Sequence, residues 1–92
     1  MLETELGKIL ETLLNHGFEP PLYWATIAVN GAMAMGRYIL NTESGDLDCQ
    51  IIASHDVGGT FGIPINMMFT DRDGDAARVV TGRSEEPEVI FN

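Results

Sequence analysis

Cysteine, positive charge and long apolar runs are all scarce in this chain. One cysteine, Cys49, among 92 residues leaves no internal disulfide and no cysteine spacing of the kind that holds zinc. Small secreted domains usually lean on several disulfides, so a single thiol points to the cytoplasm. Five Lys and Arg stand against 14 Asp and Glu, a formal net charge of -9. That balance argues against direct contact with nucleic acid or an anionic membrane, because phosphates are gripped by cations. No apolar stretch approaches the roughly 20 residues that cross a bilayer. The opening Met1-Leu2-Glu3-Thr4-Glu5 is acidic where a signal peptide would be basic.

What the chain does have is enough apolar residue to fold, 45%, in a length that suits one domain, residues 1–92. Its charge favours encounter with a basic surface.

The first segment reads as an amphipathic helix. Leu2, Leu6, Ile9, Leu10, Leu13 and Leu14 recur on one stripe, with Glu3, Lys8, Glu11 and Asn15 opposite. Gly17 falls where a C-terminal cap belongs, Pro20-Pro21 forbids continuation, and His16 is placed to meet the last carbonyls.

Strands and tight turns follow. Asn30-Gly31 predicts a two-residue hairpin joining Leu22–Val29 to Ala32–Leu40. A turn over Asn41–Asp46 leads to a strand at Leu47–Ser54. After the glycine-rich stretch Val57–Gly62, Asp73-Gly74 predicts a second two-residue hairpin between Ile65–Asp71 and Asp75–Thr81. Glu88–Phe91 closes the chain as a short strand. The expected fold class is therefore α+β: one N-terminal amphipathic helix packed on an antiparallel meander sheet of five or six strands.

A two-residue turn at Asn30-Gly31 would set Val29 opposite Ala32 and Trp24 opposite Arg37. One face of the ribbon then carries Tyr23, Ala25, Ile27, Val29, Ala32, Ala34, Gly36 and Tyr38, whose small residues suit a close helix. The other carries Leu22, Trp24, Thr26, Ala28, Met33, Met35, Arg37 and Ile39. Both faces are largely apolar, unlike a sheet with one wet side. Either later strands curl over the second face, as in a barrel or sandwich, or another chain covers it. In the second case Trp24, Met33, Met35 and Arg37 are the expected partner-binding residues, with Arg37 stacked on Trp24.

The candidates for chemistry are weaker. Asp71, Asp73 and Asp75 invite a calcium-loop reading, but counted from Asp71 the glycine falls at position 4 and position 12 is Gly82, so the pattern fails. They are expected at a hairpin tip as a concentrated negative point for a partner. Ser54-His55-Asp56 are neighbours in an extended segment, and neighbours point to opposite sides. Gly58-Gly59-Thr60-Phe61-Gly62 lacks the lysine and following helix of a phosphate loop. Cys49 alternates with Leu47 and Ile51, which predicts a buried thiol.

These features favour a non-catalytic acidic interaction module, in its expected form an inhibitor that occludes a basic partner such as a nuclease or another nucleic-acid-binding protein. The alternatives are a homo-oligomeric accessory domain, with a second copy as the partner, and a small ligand-binding domain or enzyme built on His55, Asp56 and Gly58–Gly62. No cofactor or metal is expected.

Overall fold

The computed structural model describes residues 2–28, 31–55, 64–80 and 88–91. The elements run α1 (Leu2–Asn15), β1 (Leu22–Ala28), β2 (Met33–Leu40), β3 (Leu47–His55), β4 (Pro64–Thr70), β5 (Ala76–Val80) and β6 (Glu88–Phe91). All six strands join one open antiparallel sheet in the order β3-β2-β1-β4-β5-β6, with the helix packed on one side. Two three-strand meanders, β1-β2-β3 and β4-β5-β6, lie side by side with β1 against β4. Among the described strands none curls over to make a second layer. The barrel and sandwich expectations are thereby overturned.

The helix ends where the sequence indicated. The Phe18 N–H donates to the Leu13 carbonyl at 3.0 Å and the Gly17 N–H to Leu14 at 3.1 Å. This paired motif closes the last turn and brings buried Phe18 onto buried Leu13. Ile9, Leu13 and Phe18 then meet Leu22, Tyr38, Phe69, Ala77 and Val79 in the core. At the helix end the His16 ring stacks on Phe91 of edge strand β6, centroids 3.6 Å apart. The ring makes that contact, while the His16 backbone N–H donates to the Thr12 and Leu13 carbonyls at 3.0 and 3.2 Å.

The hairpins differ from expectation by one residue, and the consequence is large. Ile27 stands opposite Met33 and Trp24 opposite Gly36. A two-residue turn at Asn30-Gly31 would have put Ala34 opposite Ile27. The second hairpin shows the cause. Thr70 pairs with Ala76, the Asp71 N–H donates to the Asp75 carbonyl at 2.9 Å, and the Gly74 N–H donates to Asp71 at 3.2 Å. The loop is the three residues Arg72-Asp73-Gly74, a turn followed by a left-handed glycine with φ of 89°. A two-residue type I′ turn would need positive φ at Asp73 as well, and no described non-glycine residue has it. Gly31, with φ of 87°, is left-handed as well. Glycine is the last loop residue in both turn types, so Asn-Gly and Asp-Gly do not distinguish them.

Because side chains alternate, that slip exchanges β1 against β2 between the faces. The true helix-side set is Leu22, Trp24 and Thr26 with Tyr38, Gly36 and Ala34. Tyr23, Ala25 and Ile27 share the other face with Arg37, Met35 and Met33. Trp24 therefore does not stack on Arg37 and does not share a face with Met33 and Met35. Its indole lies over Gly36, where a Cβ would come within 2.5 Å of the ring and 2.3 Å of the Gln50 carbonyl oxygen. Only glycine fits beneath that ring.

Candidate interaction surface

The sheet has one covered face and one open face. Following the pairings outward, the helix side continues through Met67 and Phe69, then Ala77 and Val79, then Val89 and Phe91. The other side continues through Asn66, Met68 and Thr70, then Ala76, Arg78 and Val80, then Glu88 and Ile90. No described residue of this second set is buried. Ile27 is 51% exposed, Met33 51%, Met35 48%, Met68 44% and Tyr23 42%. These apolar side chains sit together on adjacent strands, which single-sided burial would have made polar. A hollow of about 430 Å³ lies among them, lined by Ala25, Ile27, Met33, Met35, Ala53 and Met68 together with the polar Thr26, Ser54, His55 and Asn66.

Strand β3 forms one edge. It pairs only with β2 among the described strands, and it carries a bulge: Met35 faces Ala53 but Gly36 faces Ile51, leaving Ile52 over. Ile51 is 69% and Ile52 56% exposed. Cys49 is exposed, against the buried thiol expected, because this edge strand runs past the reach of the helix. It lies opposite buried Tyr38, whose phenol is pushed to a higher pKa by burial first, then by the charge of Cys49 and a hydrogen bond to it.

Charge is distributed unevenly over the molecule. By register the open face carries Arg37 and Arg78 together with Asp48 and Glu88. Arg37 Nε donates to Gln50 Oε1 at 2.9 Å, and Asp48 accepts from Asn41 Nδ2 at 3.1 Å. The other described carboxylates beyond the first helical turn, Glu11, Glu19, Glu43, Asp46, Asp71, Asp73 and Asp75, belong to the helix, the connection after it and two hairpin tips.

The three aspartates of the β4–β5 hairpin are not equivalent. Asp71 is buried. Its Oδ1 accepts the N–H groups of Asp73 at 2.9 Å and Asp75 at 2.8 Å, and its Oδ2 accepts that of Glu19 at 3.1 Å. This carboxylate closes the hairpin and ties it to the segment after α1. Asp73 and Asp75 are exposed, and Arg72 pairs with Glu19 and lies 3.7 Å from Asp73. Among the described residues no group of three or more His, Cys, Asp or Glu is placed to hold a metal. No described helix is long and apolar enough to cross a membrane.

His55 lines the hollow beside Ser54, and among the described residues no acidic side chain joins them. Asp56 and Gly58–Gly62 lie outside the described residues. Sequence reasoning missed Tyr23, Ile27 and Met68 as members of the open face. The first two were lost through the register slip. Met68 lies on a strand whose place beside β1 no local signal reveals.

Fold and surface together define a class, an α+β domain with one helix on an open antiparallel sheet whose second face is apolar. No protein-family model, no curated protein and no solved structure matches the chain.

Proposed function

We propose that this chain is a non-catalytic acidic protein-interaction module that works through the open face of its sheet. The observation that carries the reading is the contiguous exposure of Ile27, Met33, Met35 and Met68 around one hollow. Exposed apolar surface of this kind is costly to leave in water and gains by being covered. Methionines suit a docking surface because their unbranched thioethers repack against a partner. The hollow offers mainly methyl groups and thioethers, which hold surfaces together, with Ser54, His55 and Asn66 as its polar lining.

The net charge of -9 gives the module its long-range field. It draws basic surfaces and repels nucleic acid and anionic lipid. An inhibitor that occludes a basic protein is the foreign-partner form of the proposal. There Asp73 and Asp75 steer the encounter, Met33, Met35 and Arg37 make the contact, and Trp24 supports it from the opposite side of the sheet.

Methyl-labelled methionine and a soluble nitroxide test the proposal in extract of the host cell. The expected result is that the Met33, Met35 and Met68 methyls escape relaxation by the nitroxide, and that Met35→Glu restores it. Full relaxation of these methyls in dilute pure protein, concentrated pure protein and extract alike overturns the proposal.

A further inference from the structure

We infer that the open face is covered by the open face of a second copy of this chain, sheet against sheet about a two-fold axis. The inference rests on the reading that this face is a docking surface, and it names the occupant.

Charge is the first argument. The chain is strongly acidic, yet two of its five cations, Arg37 and Arg78, stand on this face with two carboxylates, Asp48 and Glu88. Among the described residues the face is locally balanced, on a molecule of net charge -9. A basic partner would meet both arginines while the acidic groups that should attract it lie mainly elsewhere. A second copy meets the same balanced set, and a two-fold axis can set each arginine of one copy toward a carboxylate of the other. Ala25, Ile27 and Met68 hold the two central strands, Asp48 and Glu88 stand on the edge strands, and Arg37 and Arg78 stand one strand in from each edge.

Shape and size agree. Six strands at a spacing of about 4.8 Å and a length of about 20 Å give roughly 600 Å² of projected area, before the corrugation of side chains. A standard interface takes about 800 Å² from each partner. Sheets stack at about 10 Å, a distance that Met33, Met35 and Ile27 bridge from both sides. Thioether side chains of one copy can enter the hollow of the other. The product is a four-layer arrangement, helix, sheet, sheet, helix, in which each copy supplies the layer the other lacks.

Sedimentation equilibrium of the purified full chain, from about 5 to 300 µM at moderate salt, tests the inference. The expected result is a mass rising to twice the chain's 10.1 kDa. Ile27→Glu and Met35→Glu, substitutions at positions about half exposed, should each weaken association at least 100-fold with the far-ultraviolet circular dichroism unchanged. A wild-type monomer throughout that range overturns the inference, and so does a dimer that survives both substitutions. The nitroxide experiment in extract separates the two proposals. Methyls shielded in extract but open in a pure monomer leave the docking surface standing with a foreign occupant, whereas methyls open everywhere remove both.

Discussion

The two faces of the sheet are built from the same strands and nearly the same apolar content, yet they have opposite fates. On the helix side, Leu22, Phe69 and Val79 are fully buried beneath Leu13, and Trp24, Met67 and Val89 complete the layer. On the open side no described residue is buried. A single 14-residue helix covers one face only, so the difference reflects what lies against each face rather than what each is made of. Apolar composition therefore marks a surface that needs cover. It does not say whether the cover is the chain itself.

Substitutions in pairs across the sheet can break this comparison. Phe69→Ala should have the largest effect, a loss of about 3–5 kcal/mol in denaturant unfolding, which a chain of this size barely survives. Met68→Ala, its neighbour on the open face, should cost the isolated chain under about 1 kcal/mol. Similar losses from both would contradict the contrast between the faces.

Gly36→Ala comes next. Its Cβ would press on the Trp24 ring and the Gln50 carbonyl, at about 1–3 kcal/mol for overpacking. The bulge opposite Gly36 could shift to relieve the contact, and hydrogen exchange along β3 would detect that as faster exchange at Ile51 and Ile52. Asp71→Ala removes an acceptor shared by three backbone N–H groups and should cost about 1–3 kcal/mol. Asp73→Ala, on the exposed tip, should change stability by less than about 0.5 kcal/mol.

Alkaline pH sharpens the comparison through Tyr38. Its folded-state pKa is raised, chiefly by burial, so the folded protein holds the phenolic proton more tightly than the unfolded chain does. The contribution is fully present below the unfolded value of about 10 and is lost as pH rises from there toward the folded value. Stability should therefore fall above about pH 10, and Tyr38→Phe should flatten that part of the curve. A curve of unchanged slope would contradict burial of this phenol.

A small net effect is also expected at Trp24. Its Nε1 is buried and has no hydrogen-bond partner among the described residues. A buried donor left unpaired costs about 1–3 kcal/mol, so Trp24→Phe regains part of what its smaller ring loses in packing. The net change in unfolding free energy should lie within about 1 kcal/mol of zero. A loss above about 3 kcal/mol would mean that the indole N–H is satisfied after all.

Much of the fold was legible because its signals are local. The leucine stripe, Gly17 and Pro20-Pro21 defined the helix, and glycine-bearing turns separated the strands. Face assignment failed because it depends on parity, which one extra loop residue reverses. Gly31 and Gly74 announced turns without revealing the register of the strand pairs on either side of them. The result moved Trp24 from the expected contact surface to the helix side, and brought Tyr23 and Ile27 onto the open one. The placement of β4 beside β1 is long-range and has no local signature, so Met68 could not be assigned to the patch. The surplus of apolar sheet surface was legible because it depends on composition rather than register. Asp71 illustrates the converse: its charge was visible in the sequence, but its work as a buried acceptor was not.

The central claim is that the open face is covered when the protein is in its working assembly. Methionine oxidation by a brief hydroxyl-radical pulse, read residue by residue by mass spectrometry, addresses that claim directly. In the assembled protein Met33, Met35 and Met68 should oxidise as slowly as Met67 on the helix side, and Met35→Glu should restore fast oxidation at Met33 and Met68. Fast oxidation of all three in the assembly, with Met67 protected, would show the face bare at work and contradict the account.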